Sequence, residues 1–219
     1  MTPITIDPDL LAVLPNIRFG CIEAEITVDT DYPALKKLLN DKISELENIL
    51  TPEIIREKDT VKATKNAYRL LEKDPNRYRP AAEALMRRIA NKKGLYAISN
   101  VVDILNLVSI ETGFSICGYD KSKIQGDISF GKGKEGEPYE GIGRGHLNIE
   151  NLPVFRDELG AFGTPTSDSV RTMIDDTTKE VLFIFVDFGQ SDSLEGILQR
   201  CAELLNKYAQ ATDLIKSIT

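Results

Sequence analysis

Histidine is almost missing from this sequence of 219 residues, with His146 as its single representative. A triad or dyad built on imidazole therefore has one candidate, and the multi-histidine zinc sites of most metal-dependent hydrolases are excluded. Cysteine is sparse as well. Cys21, Cys117 and Cys201 are widely separated and form no CxxC pair, which points to reduced thiols and not to a disulfide framework or a zinc site. No metal and no cofactor are expected. Nothing approaches the roughly 20 consecutive apolar residues that span a bilayer. The opening MTPITIDPDLLAVLP lacks the basic segment, apolar run and small-residue cleavage site of an export signal. The expected location is the cytoplasm, with no membrane partner. Positive charge is in deficit, with 27 Lys and Arg against 34 Asp and Glu, a net charge of -7. That balance opposes nonspecific attraction to phosphate backbones, so no DNA partner is expected and any RNA contact must be local. GIGRGH at 141–146 fits neither GxGxxG after a strand nor GxxxxGK[ST] before a helix, and reads as a hairpin whose glycines take positive φ. No internal repeat or low-complexity tract is present.

What is present is ordinary for a folded globular chain: 42% hydrophobic and 28% charged residues. IRFGCIEAEITV at 17–28 is rich in β-branched residues and reads as an early strand. A helical arm is expected over 31–72. Leu35, Leu38, Leu39, Ile43, Leu46 and Leu50 recur at three- and four-residue steps, and a second helix runs from Thr51-Pro52-Glu53 to Leu71. After Asp74-Pro75-Asn76, a helix over AAEALMRRIANKK is expected to end at Gly94, and a buried one over 98–112 to end at Gly113. From Phe114 the texture changes to short strands and glycine turns. VLFIFVDF at 181–188 is the strongest strand, its unbroken apolar run implying burial on both faces. SLEGILQRCAELLNKYAQATDLIK from Ser193 reads as a closing amphipathic helix. Helices in front, strands in the middle and a helix at the end predict an α+β fold, a mixed β-sheet core flanked by helices, forming a single domain over 1–219.

Three features carry chemistry. Arg77, Arg79, Arg87, Arg88, Lys92 and Lys93 crowd one stretch of an otherwise acidic chain and are the candidate RNA contacts. The loop TPTSDS at 164–169 offers hydroxyls, a carboxylate and backbone N–H groups suited to a zwitterion or a ribose, although such loops also serve as turns and caps. Cys117 is a weak candidate nucleophile, because its neighbours Ser115, Ile116, Gly118 and Tyr119 supply no cation to lower its pKa.

The segment ISNVVDILNLVSIETGFSICGYD at 98–120 closely resembles a pattern of the phenylalanyl-tRNA synthetase beta subunit, Ile-Ser-Asn-Val-Val-Asp-Val-Thr-Asn-Tyr-Val followed by a Glu-x-Gly-Gln-Pro-Leu-His-Ala-Phe-Asp run. Ser99, Asn100, Val101, Val102, Asp103, Asn106, Glu111, Gly113 and Asp120 fall in register without a gap. Gly136-Glu137, Gly163 and Ser167 look like further elements of its B3/B4 domain, and the similarity covers about 77–190. The resemblance implies a B3/B4-like domain, a module that in that family binds a mischarged tyrosine and hydrolyses its ester link to tRNA. The correspondence departs where the chemistry lies: the family's histidine falls at Cys117, and its Thr-Asn pair becomes Leu105-Asn106. The glutamate of its last core strand has no counterpart in VLFIFVDF.

By this resemblance the chain is a free-standing tRNA- or aminoacyl-tRNA-binding protein, with trans-acting deacylation as its candidate reaction. Ser99, Asn106, Cys117, Gly163, Thr164 and Ser167 are the expected substrate-binding residues. The alternative is a small-molecule protein that binds an amino-acid-like ligand on the same fold without RNA. ATP-dependent ligase activity is not expected, since the chain is too short to add a class II catalytic domain and carries none of that class's arginine motifs.

Overall fold

The computed structural model describes residues 2–189 and 194–219. Its centre is the strand β9 (Glu180–Asp187), which pairs antiparallel with β2 (Arg18–Glu25) on one side and β3 (Ile116–Asp120) on the other. A last strand, β10 (Thr212–Ile218), extends the sheet to the order β10-β2-β9-β3. Side chains alternate across a strand, so β9 presents two apolar faces. Val181, Phe183 and Phe185 join Ile22 and a helical layer, while Leu182, Ile184 and Val186 join Phe19, Cys21 and Tyr119 against a second sheet. This is the double-sided burial that its unbroken apolar run predicts.

The second sheet has the order β1-β4-β7-β8, from β1 (Ile4–Ile6), β4 (Ile128–Lys132), β7 (Pro153–Asp157) and β8 (Gly160–Gly163). Its β1–β4 pair is parallel, and a short helix α1 (Pro8–Val13) links β1 to β2. A two-stranded hairpin, β5 (Glu140–Gly141) with β6 (Gly145–His146), projects from it. The helical layer comprises α2 (Pro33–Glu47), α3 (Pro52–Glu57), α4 (Asp59–Leu70), α5 (Ala81–Ala90), α6 (Asn100–Thr112) and α7 (Leu194–Tyr208). The architecture is α+β, with three layers: helices, sheet and sheet.

The helices of the 31–72 stretch lie against the body. Leu35, Leu39 and Ile43 of α2, Ile55 of α3 and Val61 of α4 enter the same core as α6 and α7. The expected single helix from Thr51 to Leu71 is two, because Lys58 takes an extended backbone (φ -61, ψ 129) between α3 and α4. Helix α5 stops at Ala90, short of Gly94. Lys92 adopts the left-handed conformation at φ 54, its N–H bonding the Ile89 carbonyl while Lys93 N–H bonds that of Arg88. This is a Schellman cap with lysine in glycine's place. Gly113 does close α6, at φ 83. The closing helix ends at Tyr208, and residues 212–218 form β10 in place of its expected last turns. Ser193, the expected start of that helix, lies outside the described residues. No helix among the described residues is long and apolar enough to cross a membrane.

Candidate functional site

A cleft of about 550 Å³ opens between α5, α6, β3, the hairpin β5–β6 and the 164–168 loop. Its walls are mainly apolar, from Leu85, Ile98, Val102, Leu105, Ile116 and Ile174, with polar groups at Asn106, Thr164, Ser167 and Asp168 and the cations Arg88 and Arg144. An apolar cavity with a few converging polar groups is the usual form of a small-ligand site.

Each wall follows from local sequence. Helix α6 starts at Ser99, whose hydroxyl accepts from Val102 N–H at 3.3 Å, and this sets Asn106 two turns on at the cleft. The loop is fixed by Thr164, whose hydroxyl oxygen accepts from the N–H groups of Thr166 at 3.0 Å and Ser167 at 3.2 Å, the serine/threonine turn that its composition allows. Tyr139 ties it further by donating to the Ser167 carbonyl at 2.6 Å. On β3, Gly118 leaves room that a Cβ would close, 2.4 Å from Leu105 Cδ1. Gly163 serves a different contact: a Cβ there would lie 1.8 Å from the hydroxyl of the buried Tyr119.

Among the described residues, Asp168 is the only acid lining this cleft. Its Oδ2 accepts from Gly118 N–H at 3.1 Å, while Oδ1 is shut off from solvent with no hydrogen-bond partner among the described residues, as is the Tyr119 hydroxyl. Burial lifts the Asp168 carboxyl to about 7, against the opposing pull of Gly118 N–H, Tyr119 and Cys117. Burial, then the charge of Asp168, raises the Cys117 thiol well above its ordinary value.

Residues 63–209 match the B3/4 domain. The chain belongs to the B3/4 domain family. Over 114 residues, half of this chain, it is 33% identical to the phenylalanine--tRNA ligase beta subunit of Streptomyces avermitilis, of which it covers 13%. Among solved structures it is similar to an N-terminal fragment of the phenylalanyl-tRNA synthetase beta subunit from Pyrococcus horikoshii, with a TM-score of 0.49 and 11% identity over 100% of this chain and 54% of that one.

Of the expected substrate residues, this B3/4 domain brings Asn106, Thr164 and Ser167 together in the cleft. Ser99, Cys117 and Gly163 stand outside its lining. Ser99 caps α6, Cys117 is buried on the far face of β3, and Gly163 admits Tyr119. Burial that raises the Cys117 thiol works against a nucleophilic role.

The basic stretch is dispersed. Glu83, fully buried on α5, draws Arg87 to 2.7 Å, Lys65 to 3.4 Å and Arg79 to 3.6 Å. Arg88 turns to the cleft, while Lys92 and Lys93 are exposed at the end of α5 and Arg77 lies 5.6 Å from the Tyr78 ring. His146 stands exposed on β6 opposite Glu140, beside a second depression of about 390 Å³. Sequence reasoning missed Asp168 as an individual site residue, along with Arg144 and Tyr96. The acidic position in TPTSDS was the available signal for the first, whereas nothing local announces that a hairpin tip and a post-helix loop meet over α6.

Proposed function

We propose that this B3/4 domain receives the aminoacyl end of a charged tRNA, the amino-acid side chain entering the cleft and the ester lying at its mouth, where water hydrolyses it. Asn106 of α6 converging with Thr164, Ser167 and Asp168 of the 164–168 loop in one apolar cleft is the observation that carries this reading. The match to a protein named as a ligase for tRNA supports it. Among the described residues, no histidine lines the cleft. Asp168, poised to exchange a proton near neutrality, is the group suited to hold the ammonium of the amino acid or to take a proton from the attacking water. Hydrolysis adds water across the ester, releasing the free amino acid and the tRNA's terminal hydroxyl. Such a role belongs to the cytoplasm, and a further partner is not required.

A time course of deacylation over a panel of correctly and incorrectly charged tRNAs tests it, comparing wild type with Asn106→Ala and Asp168→Asn. The expected outcome is release of one amino acid in preference to the rest, slowed about tenfold or more in Asp168→Asn, within the range of one positioned acid–base group. Uniform stability of every ester would leave the second reading, an amino-acid-like ligand bound without RNA. That alternative draws on the engagement of Arg79 and Arg87 by Glu83 in a chain of net charge -7.

A further inference from the structure

The cleft mouth carries groups that an esterified amino acid does not call for. Tyr96 is 72% exposed, Ile98 55% and Ile142 45%, an apolar cluster of the kind that marks a binding surface. The tyrosine ring is backed on one side: the Arg88 guanidinium lies 4.4 Å from its centroid. Arg88 is in turn held by the carbonyls of Gly94 at 3.2 Å and Lys93 at 3.4 Å. Arg144 lines the same cleft from the tip of β5–β6, exposed, its guanidinium with no hydrogen bond or ion pair among the described residues. That tip is anchored by Ile142 N–H to the Asp168 carbonyl at 3.0 Å and by a bridge between Gly141 and Ser169.

The Arg144 guanidinium is left without an anion, and the acyl group cannot supply it. In an aminoacyl ester the carboxylate is consumed and the remaining charge is the positive ammonium. The nearest anions of a charged tRNA are its phosphates, and the nearest planar groups are its bases. A fixed aromatic ring beside arginine is the arrangement on which single-stranded bases stack, and a free guanidinium is the natural phosphate ligand.

We infer that the rim formed by Tyr96, Arg88 and Arg144 is a nucleotide subsite: a base at the RNA end stacks on Tyr96 and an adjoining phosphate pairs with Arg144. This deepens the aminoacyl-tRNA reading of the cleft and rests on it, assigning the RNA end to a surface that keeps Arg88 from the basic stretch and leaves out Arg79 and Arg87, which Glu83 engages.

Calorimetric titration with a short unacylated single-stranded RNA trinucleotide, alongside inorganic phosphate and free phenylalanine as separate probes, tests the subsite. Tyr96→Ala is expected to weaken trinucleotide binding at least about fivefold, with Tyr96→Phe restoring it, as stacking requires. Arg144→Ala is expected to weaken it and to reduce the slope of log affinity against log salt by about 0.7, one phosphate of a single strand. Thermal melts that coincide with wild type exclude unfolding as the cause. Unchanged affinity in Tyr96→Ala overturns the inference, as does binding of free phenylalanine but not of the trinucleotide with loss in Arg144→Ala, which would make the rim a carboxylate site. Trinucleotide binding that obeys these expectations, with no discrimination or hydrolysis among charged tRNAs, would instead overturn the reading of the cleft and leave the subsite standing.

Discussion

A carboxyl lifted to about 7 makes Asp168 a source of pH dependence. In the unfolded chain it titrates near 4, so between pH 4 and 7 the folded state holds a proton that the unfolded state has released. Its contribution to stability is therefore complete below pH 4 and is lost as pH rises through 7. Asp168→Asn, which cannot ionise, is expected to match wild type at pH 4 and to melt higher at pH 8, by roughly 2–4 °C for each kcal/mol relieved. Melting curves at the two pH values check this, and a variant less stable at pH 8 contradicts it. At this scale the sequence was legible in part. The cleft gathers Asn106, Thr164 and Ser167, although the Thr164 hydroxyl also holds its own loop. Ser99, Cys117 and Gly163 lie outside that lining, where capping, burial and close approach call for the same residue types as ligand binding does.

At the scale of the element, the most recognisable stretch of the sequence is mainly architectural. In the 98–103 motif, Asn100 is almost fully buried and accepts from Asp29 N–H at 2.8 Å, while its amide donates to the carbonyls of Thr27 at 2.9 Å and Tyr208 at 2.8 Å. One side chain thus fastens α6 to the segment after β2 and to the end of α7. Asp103 accepts from the Tyr32 hydroxyl at 2.7 Å, joining α6 to α2. Asn100→Ala leaves several buried polar groups without partners, each costing about 1–3 kcal/mol. It is expected to lower the urea midpoint of unfolding by an amount equivalent to at least roughly 3 kcal/mol at unchanged m. Periodicity and glycine exposed the course of α2, α6 and β9. It failed at the α3–α4 break, where Lys58 leaves helical geometry without a proline or glycine to mark it, and at β10, whose TDLIKSI reads equally well as the continuation of a helix. Long-range pairing with β2 decides the latter.

At the scale of the molecule, cations that look available in sequence are partly engaged inside. Glu83 sits at the meeting point of α4 and α5 with three cations around it, and leaving any of them out weakens a buried charge's surroundings. Arg87→Ala is expected to cost roughly 1.5–3 kcal/mol of stability, measured by denaturant unfolding, and to leave tRNA affinity at fixed salt within about twofold, since one salt-slope contribution per phosphate contact is expected only from groups that reach the RNA. An affinity loss at full stability would return Arg87 to the RNA surface. The charge count was visible in sequence; the pairing was not, because Lys65 and Glu83 are brought together only by helix packing.

The position of β9 between β2 and β3 also governs how this chain reaches its native state. Its partner Arg18 lies 169 residues from Asp187, so one edge of β9 stays unpaired until distant parts of the chain meet. Contacts of such separation close slowly, and meanwhile VLFIFV is the segment most able to pair with the same segment of another molecule. Recovery from denaturant is accordingly a race between intramolecular closure and self-association, with dilution favouring the first.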